Sequence, residues 1–227
     1  MPYTFGDNEE ASRRLKRLAE VYEPETSAFL HVLCEAQKNR PFQLAADLGC
    51  GPGWTTQLIA EVLKPVRTIG LDESERYIAQ ACANHPHLTF MQHNVLATPF
   101  PVSHPDILFC RFLLTHLTAP AAALRTWAGI ANTGAVLAIH ETETIASEHP
   151  VLRRYYEMVD QMQRNYGQEL HVGARLEAAF EGTEWSVIHS EGRLIEKPAQ
   201  AMAQLHLSNL RTWSSNDYAK THSTRAK

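Results

Sequence analysis

The chain has 227 residues, 44% of them hydrophobic and 20% charged, the balance of a single globular domain able to bury a core. A formal net charge of −4 argues against a broad nucleic-acid surface, and no apolar run reaches the ~18–20 residues that span a bilayer. The N-terminus has no signal-peptide core, and Cys34, Cys50, Cys82 and Cys110 show neither disulfide nor zinc spacing, so the expectation is a cytoplasmic protein with reduced thiols and no metal.

Asp7 and Glu10 form a capping signal for a first helix, behind which Ala11, Leu15, Leu18 and Tyr22 recur at helical spacing. Arg13, Arg14, Lys16 and Arg17 fill the other positions, either as a solvated face or as a site for an acidic substrate. Pro24 predicts the start of a second helix with Phe29, Leu33 and Ala36 facing inward. Strands are then predicted over residues 42–48, 66–71, 88–92, 107–110 and 135–139. Helices are predicted over 55–63, 73–83 and 118–131, the last closed by Asn132-Thr133-Gly134. This alternation implies a doubly wound, mostly parallel α/β sheet with helices on both faces. Val151, Tyr155, Met158, Met162 and Tyr166 mark a long amphipathic helix ended by Gly167. A sixth strand is expected over 185–190, extending past Gly192 to Ile195, and Ala199, Met202, Leu205 and Leu210 suggest a final helix. Residues 214–227 are polar and read as a tail.

The chemistry concentrates after the first strand, in Asp47-Leu48-Gly49-Cys50-Gly51-Pro52-Gly53-Trp54. A buried strand, a glycine turn and a helix start are how open parallel sheets hold a nucleotide-like ligand. A dinucleotide fingerprint needs a third glycine at the position of Trp54, so the spacing Gly-x-Gly-x-Gly speaks against a nicotinamide enzyme. Asp72 stands 23 residues beyond Gly49 at the end of the second strand, where a carboxylate can accept both hydroxyls of a ribose. It can equally cap the helix that begins at Glu73.

The segment from Asp47 to Gly53 resembles the first motif of class I S-adenosylmethionine-dependent methyltransferases, and the likeness extends over about residues 40–145. The resemblance implies a Rossmann-like fold and S-adenosyl-L-methionine as cofactor, with S-adenosyl-L-homocysteine as product. It implies cofactor contacts from Asp47, Gly49, Cys50, Gly51, Asp72, Glu73, Asn94, Val95 and Arg111. Asn94 would meet the adenine amino group through its side-chain oxygen, although Asn is also a turn former. Residues 1–39 become a helical lid, 40–145 the cofactor core, 146–184 a helical insertion near substrate, and 185–227 a last strand with helix and tail. The family's sheet normally closes with a seventh, antiparallel strand beside the fifth. No apolar strand follows Trp213, so a self-associating or unusually closed C-terminal region is expected.

Methyl transfer from a sulfonium needs orientation more than acid–base help, and a base only for a protonated acceptor. His116, after the fourth strand, and then His140, after the fifth, are the candidate bases, although a His among leucines is commonly structural. Glu141, next to His140, is the last candidate base, and it and Glu143 read equally as helix-start or solvent groups. Cys110-Arg111-Phe112-Leu113 lacks the signatures of nucleobase, protein-arginine and metal-dependent catechol methyltransferases. The resemblance therefore implies a metal-independent enzyme acting on a small molecule, similar to the quinone-biosynthesis, aconitate and secondary-metabolite group. Two rivals remain: a non-catalytic partner subunit that keeps the cofactor turn, and an RNA or protein methyltransferase.

Overall fold

The computed structural model describes residues 6–36 and 41–213. Its elements, in order, are α1 (Glu9–Ala36), β1 (Leu44–Leu48), α2 (Trp54–Leu63), β2 (Arg67–Asp72), α3 (Glu75–Asn84), β3 (Thr89–Gln92) and β4 (Ile107–Arg111). They continue as α4 (Pro120–Ala128), β5 (Val136–His140), α5 (Pro150–Asn165), the single turn α6 (Leu176–Ala179) and α7 (Ala199–Trp213).

All strand pairs are parallel, in the order β3-β2-β1-β4-β5. The strand order reverses between β1 and β4, which makes their carboxyl ends the topological switch point of the sheet. Alternation along the strands builds two apolar layers. Ala46, Leu48, Leu108 and Cys110 face Leu124 and Trp127 of α4. Ala45, Ile107, Phe109 and Ala138 face Ile59 and Leu63 of α2 and Leu30 and Leu33 of α1. Helices thus cover both faces, as expected.

Three expectations are corrected. First, the two N-terminal helices are one, with Pro24 inside it. Proline deprives the carbonyl four residues earlier of its donor, but Pro24 and Glu20 are both exposed, so water can meet that carbonyl. The helix is held on its other side by fully buried Ala11, Thr26 and Leu30. Its cap is Asn8, whose Oδ1 accepts from Ala11 N at 2.9 Å, while Asp7 binds the Ser74 hydroxyl at 2.8 Å. Second, α4 ends at Ala128, and Asn132 instead ties the β4 and β5 approaches together by donating to His104 O and Asp106 Oδ1 at 2.8 and 3.0 Å. Third, residues 185–195 form no strand: Ile188 and Leu194 are 79% and 94% exposed. Trp185 anchors the segment by donating to Leu124 O at 2.9 Å, but Val187 and Ile188 pair with no strand among the described residues. The sheet therefore has five strands among the described residues, with β5 at its edge. The expected tail over 214–227 lies outside the described residues.

Candidate active site

The glycine turn sits at the switch point. Gly49, Gly51 and Gly53 all adopt positive φ, at 69°, 52° and 89°. A Cβ on Gly49 would lie 2.8 Å from Leu113, and one on Gly53 2.9 Å from both His85 and Phe90, so a side chain is excluded by conformation and space together. Gly49 N and Cys50 N both donate to Leu71 O, at 2.8 and 3.0 Å, which folds the turn back over β2. The Cys50 side chain is buried beside Gly70 and Phe90, and burial pushes its thiol well above the usual range.

Asp72 ends β2 and engages the turn directly: Oδ2 accepts from Gly51 N at 2.8 Å and Oδ1 from Ser74 N at 2.9 Å. Each oxygen keeps a further acceptor position. Both sequence readings of Asp72 therefore apply at once, since it steadies the entry to α3 and stands one strand from the glycines. Burial raises its carboxyl, and the two amides oppose the shift. Glu73 is exposed, and its carbonyl accepts from Gln92 Nε2 at 3.0 Å. Asp47 is buried under the turn and accepts from the Thr56 hydroxyl at 2.6 Å. Burial pushes its carboxyl up to about 7 against that bond and the Arg111 charge.

Asn94 and Val95 follow β3, next to Asp72, whose carbonyl accepts from His93 N at 2.9 Å. Asn94 Oδ1 closes a turn with Leu96 N at 2.9 Å, so the turn-forming reading holds and one acceptor position remains. The Val95 side chain joins the core and its carbonyl takes Trp127 Nε1–H at 2.9 Å.

The carboxyl ends of β4 and β5 meet α1. Arg111 Nη1 donates to Thr26 Oγ1 at 2.9 Å; burial brings its pKa down to about 10, with Asp47 and Glu23 opposing. His140 Nδ1 lies 3.3 Å from the same hydroxyl, and burial with the Arg111 charge brings the imidazole down to about 4. His116 sits in the 3-10 turn Leu114–His116; burial, with the Arg14 charge, takes it down to about 3. Both candidate histidines are neutral at pH 7, in separate settings: His140 against Thr26, His116 near Arg14. Arg14 is 5% exposed and donates to Asn209 Oδ1 at 3.2 Å, so it departs from the solvated face that Arg13 and Lys16 do form. Glu141 is neither a helix start nor a solvent group. Its Oε1 takes Leu114 N at 2.6 Å, and burial pushes it up to about 8 against the amides of Leu113, Leu114 and Thr115.

Sequence reasoning missed Thr26, Leu15 and Leu113. Leu15 of α1 stands 3.5 Å from where a Gly51 Cβ would be, so α1 packs against the turn. A cavity of about 280 Å³ opens between α1 and α2, lined by Lys16, Glu20, Glu23, Trp54, His85 and Arg111 among others. Among the described residues no three His, Cys, Asp or Glu side chains converge as metal ligands, and no helix is long and apolar enough to cross a membrane.

Comparison with known proteins agrees with this geometry. Residues 45–134 match the family model described as a methyltransferase domain. A trans-aconitate 2-methyltransferase of Methylobacterium radiotolerans is 36% identical over 112 residues, 49% of this chain and 43% of that protein. The trans-aconitate 2-methyltransferase of Afipia carboxidovorans is 28% identical over 131 residues, 58% of this chain and 51% of that one. The matches thus span about half the length of these curated relatives. Among solved structures, the YcgJ protein of Bacillus subtilis superposes with a TM-score of 0.54 at 20% identity, covering 86% of this chain and 87% of that one, a likeness of fold. The turn and the carboxylate fall within residues 45–134, the stretch similar to a methyltransferase domain, and the strand order agrees with that likeness.

Proposed function

We propose that this protein binds S-adenosyl-L-methionine at the glycine turn and transfers its methyl group to a small-molecule acceptor, without a metal ion. The observation that carries the reading is the turn with glycine at 49, 51 and 53, all at positive φ, joined to Asp72 across the switch point. The residues fit such a ligand: a carboxylate with acceptor positions to spare, glycines where a side chain would be strained, and a neighbouring cavity beside Arg111 for a charged end. Leu15 and the rest of α1 must shift from Gly51 to admit it, which makes α1 the lid.

When bound, the cofactor supplies a methyl group activated on sulfonium. The chain's own residues do the rest. Asp72 holds the ribose hydroxyls, and Asn94 with the backbone at Val95 flanks the adenine. Asp47, Gly49, Cys50, Gly51 and Glu73 shape the cradle, the first by fixing α2 through Thr56. Arg111, on the cavity wall, faces the carboxylate end. Closure of α1 excludes water, and alignment alone can contribute several kcal/mol of the ~7–11 kcal/mol available from orientation. His140 or His116, both neutral at pH 7, accepts a proton if the acceptor arrives protonated.

The acceptor is proposed to be a carboxylic acid of the kind named for the relatives, trans-aconitate being the first to test. The buried cation of Arg14 beside His116 supports an anionic acceptor. The protein is proposed to act in the cytoplasm, and to self-associate along the β5 edge, which light scattering tests. Incubation with methyl-labelled cofactor and a panel of organic acids, read by mass spectrometry, decides the main reading. A labelled ester supports it; binding without any product across the panel favours a non-catalytic cofactor-binding subunit instead.

A further inference from the structure

We propose that Thr26, on α1, fixes the tautomer of His140: its hydroxyl oxygen accepts the proton on Nδ1 and leaves Nε2 as the nitrogen with an open lone pair. The inference follows from counting. A threonine hydroxyl has one hydrogen and two lone pairs. The hydrogen goes to Tyr22 O, 2.8 Å away, in the helix's own back-bond. One lone pair receives Arg111 Nη1 at 2.9 Å, and a guanidinium only donates. The third neighbour is His140 Nδ1 at 3.3 Å, and the position left for it is an acceptor position. Nδ1 must therefore bring the hydrogen. Thr26 has no exposed surface, so water does not compete for the site. The rings of Phe112 and Phe29, with centroids 5.3 and 6.3 Å from that of His140, pack beside the imidazole.

The charged groups around this imidazole are Arg111 and, across α1, Glu25, which Lys197 engages through both carboxylate oxygens at 2.6 and 2.7 Å. Burial, with the Arg111 charge, keeps His140 neutral against Glu25, so the lone pair on Nε2 is available at pH 7. The consequence for catalysis rests on the methyl-transfer reading above. Where the acceptor carries an O–H, Nε2 takes that proton as the oxygen bonds to the methyl carbon and the carbon–sulfur bond breaks, the electron pair staying on sulfur; an acceptor already ionised at pH 7 needs no base. Through the change the Nδ1–H bond to Thr26 persists and orients the ring. Thr26 is thus a positioning residue, and α1 carries it: the lid, in docking, also sets the state of the base.

The test is a two-dimensional long-range 15N–1H correlation spectrum of the full chain, with the His140 ring assigned by its loss in His140→Gln. Wild type and Thr26→Ser are expected to show a protonated Nδ1 and a bare Nε2, and Thr26→Val a shift toward the other tautomer. A proton on Nε2 in wild type overturns the proposal, and so does an Nδ1–H tautomer unchanged in a folded Thr26→Val. If the valine variant does not fold, the wild-type and serine spectra still decide. On an acceptor that keeps an O–H proton at the assay pH, Thr26→Val should lower kcat about tenfold or more, within the range general bases supply, and serine should restore most of it. Absence of turnover in wild type would sink the methyl-transfer reading while leaving the tautomer assignment intact.

Discussion

The polar contacts on the two sides of the switch point differ in how far along the chain their partners lie. On the β1–β3 side the partners are near in sequence: Thr56 to Asp47 is nine residues, Gly51 to Asp72 is 21, and Asn94 to Leu96 is two. On the β4–β5 side they are remote: Arg111 to Thr26 is 85 residues, His140 to Thr26 is 114, Lys197 to Glu25 is 172, and Arg14 to Asn209 is 195. The contacts at the ends of β1–β3 thus come from within that stretch, while Asp7, 67 residues from Ser74, reaches in from before α1. The β4–β5 side takes these partners from α1 and from the chain at and just before α7.

Substitutions separate the two sides, and the largest effect is expected where they join. Trp127 is fully buried beneath β1 and β4, and its indole N–H bonds Val95 O on the β1–β3 side. Trp127→Ala should cost about 3–5 kcal/mol, a fall in Tm of roughly 6–20 °C for a chain of this size. Thermal denaturation measures it, and a loss of cofactor affinity in the folded variant would show that the sides are coupled through the core.

Next in size is a pH effect. Asp47 at about 7 and Glu141 at about 8 both have folded pKa values above their ordinary ones, so the folded state binds more protons and their contribution is lost as pH rises through 7 and 8. His116 and His140, lowered to about 3 and 4, act the other way, but mainly below the ordinary imidazole value of about 6.5. Between pH 6.5 and 8 the acids outweigh the histidines, whose opposing slope fades over the same range; each acid contributes at most about 1.4 kcal/mol per pH unit and less once pH passes its folded value, about 1.5 kcal/mol net. Tm should fall over that window. Asp47→Asn should remove the lower part of the fall and Glu141→Gln the upper part; a flat wild-type curve would mean that neither acid is held protonated.

Two smaller effects probe the local kind of contact. Asn8→Ala removes the α1 cap and should cost about 1 kcal/mol in chemical denaturation. Arg13→Ala breaks exposed pairs with Glu9 and Glu10 and should change stability by less than about 0.5 kcal/mol. A cost for Arg13 equal to that for Asn8 would show that α1 depends on its charged face.

This division explains what the sequence disclosed. Strand periodicity, the glycine spacing and the carboxylate at Asp72 are encoded within short stretches, so the parallel sheet and its cradle were legible. The unpaired course of residues 185–195 was not, because the apolar Val187, Ile188 and Leu194 suggest a strand locally, whereas pairing is decided by the rest of the fold, which leaves them exposed. Pro24 looked like a helix start because propensity weighs the proline locally, whereas burial of Ala11, Thr26 and Leu30 on the opposite face carries the helix through it. Thr26 carried no signal at all: a threonine in a helix acquires its role only from Arg111 and His140, brought to it by the fold. Glu141 was visible as a residue but not as the acceptor for the amides after β4.

The most direct test of the cradle is isothermal calorimetry with S-adenosyl-L-homocysteine on the wild-type chain and on Asp72→Ala. Saturable one-site heat in wild type, with affinity lower by at least about tenfold in the variant through loss of a charge-assisted bond of ~1.5–3 kcal/mol, is the expected result. No heat in wild type, or equal affinity in both, would contradict it.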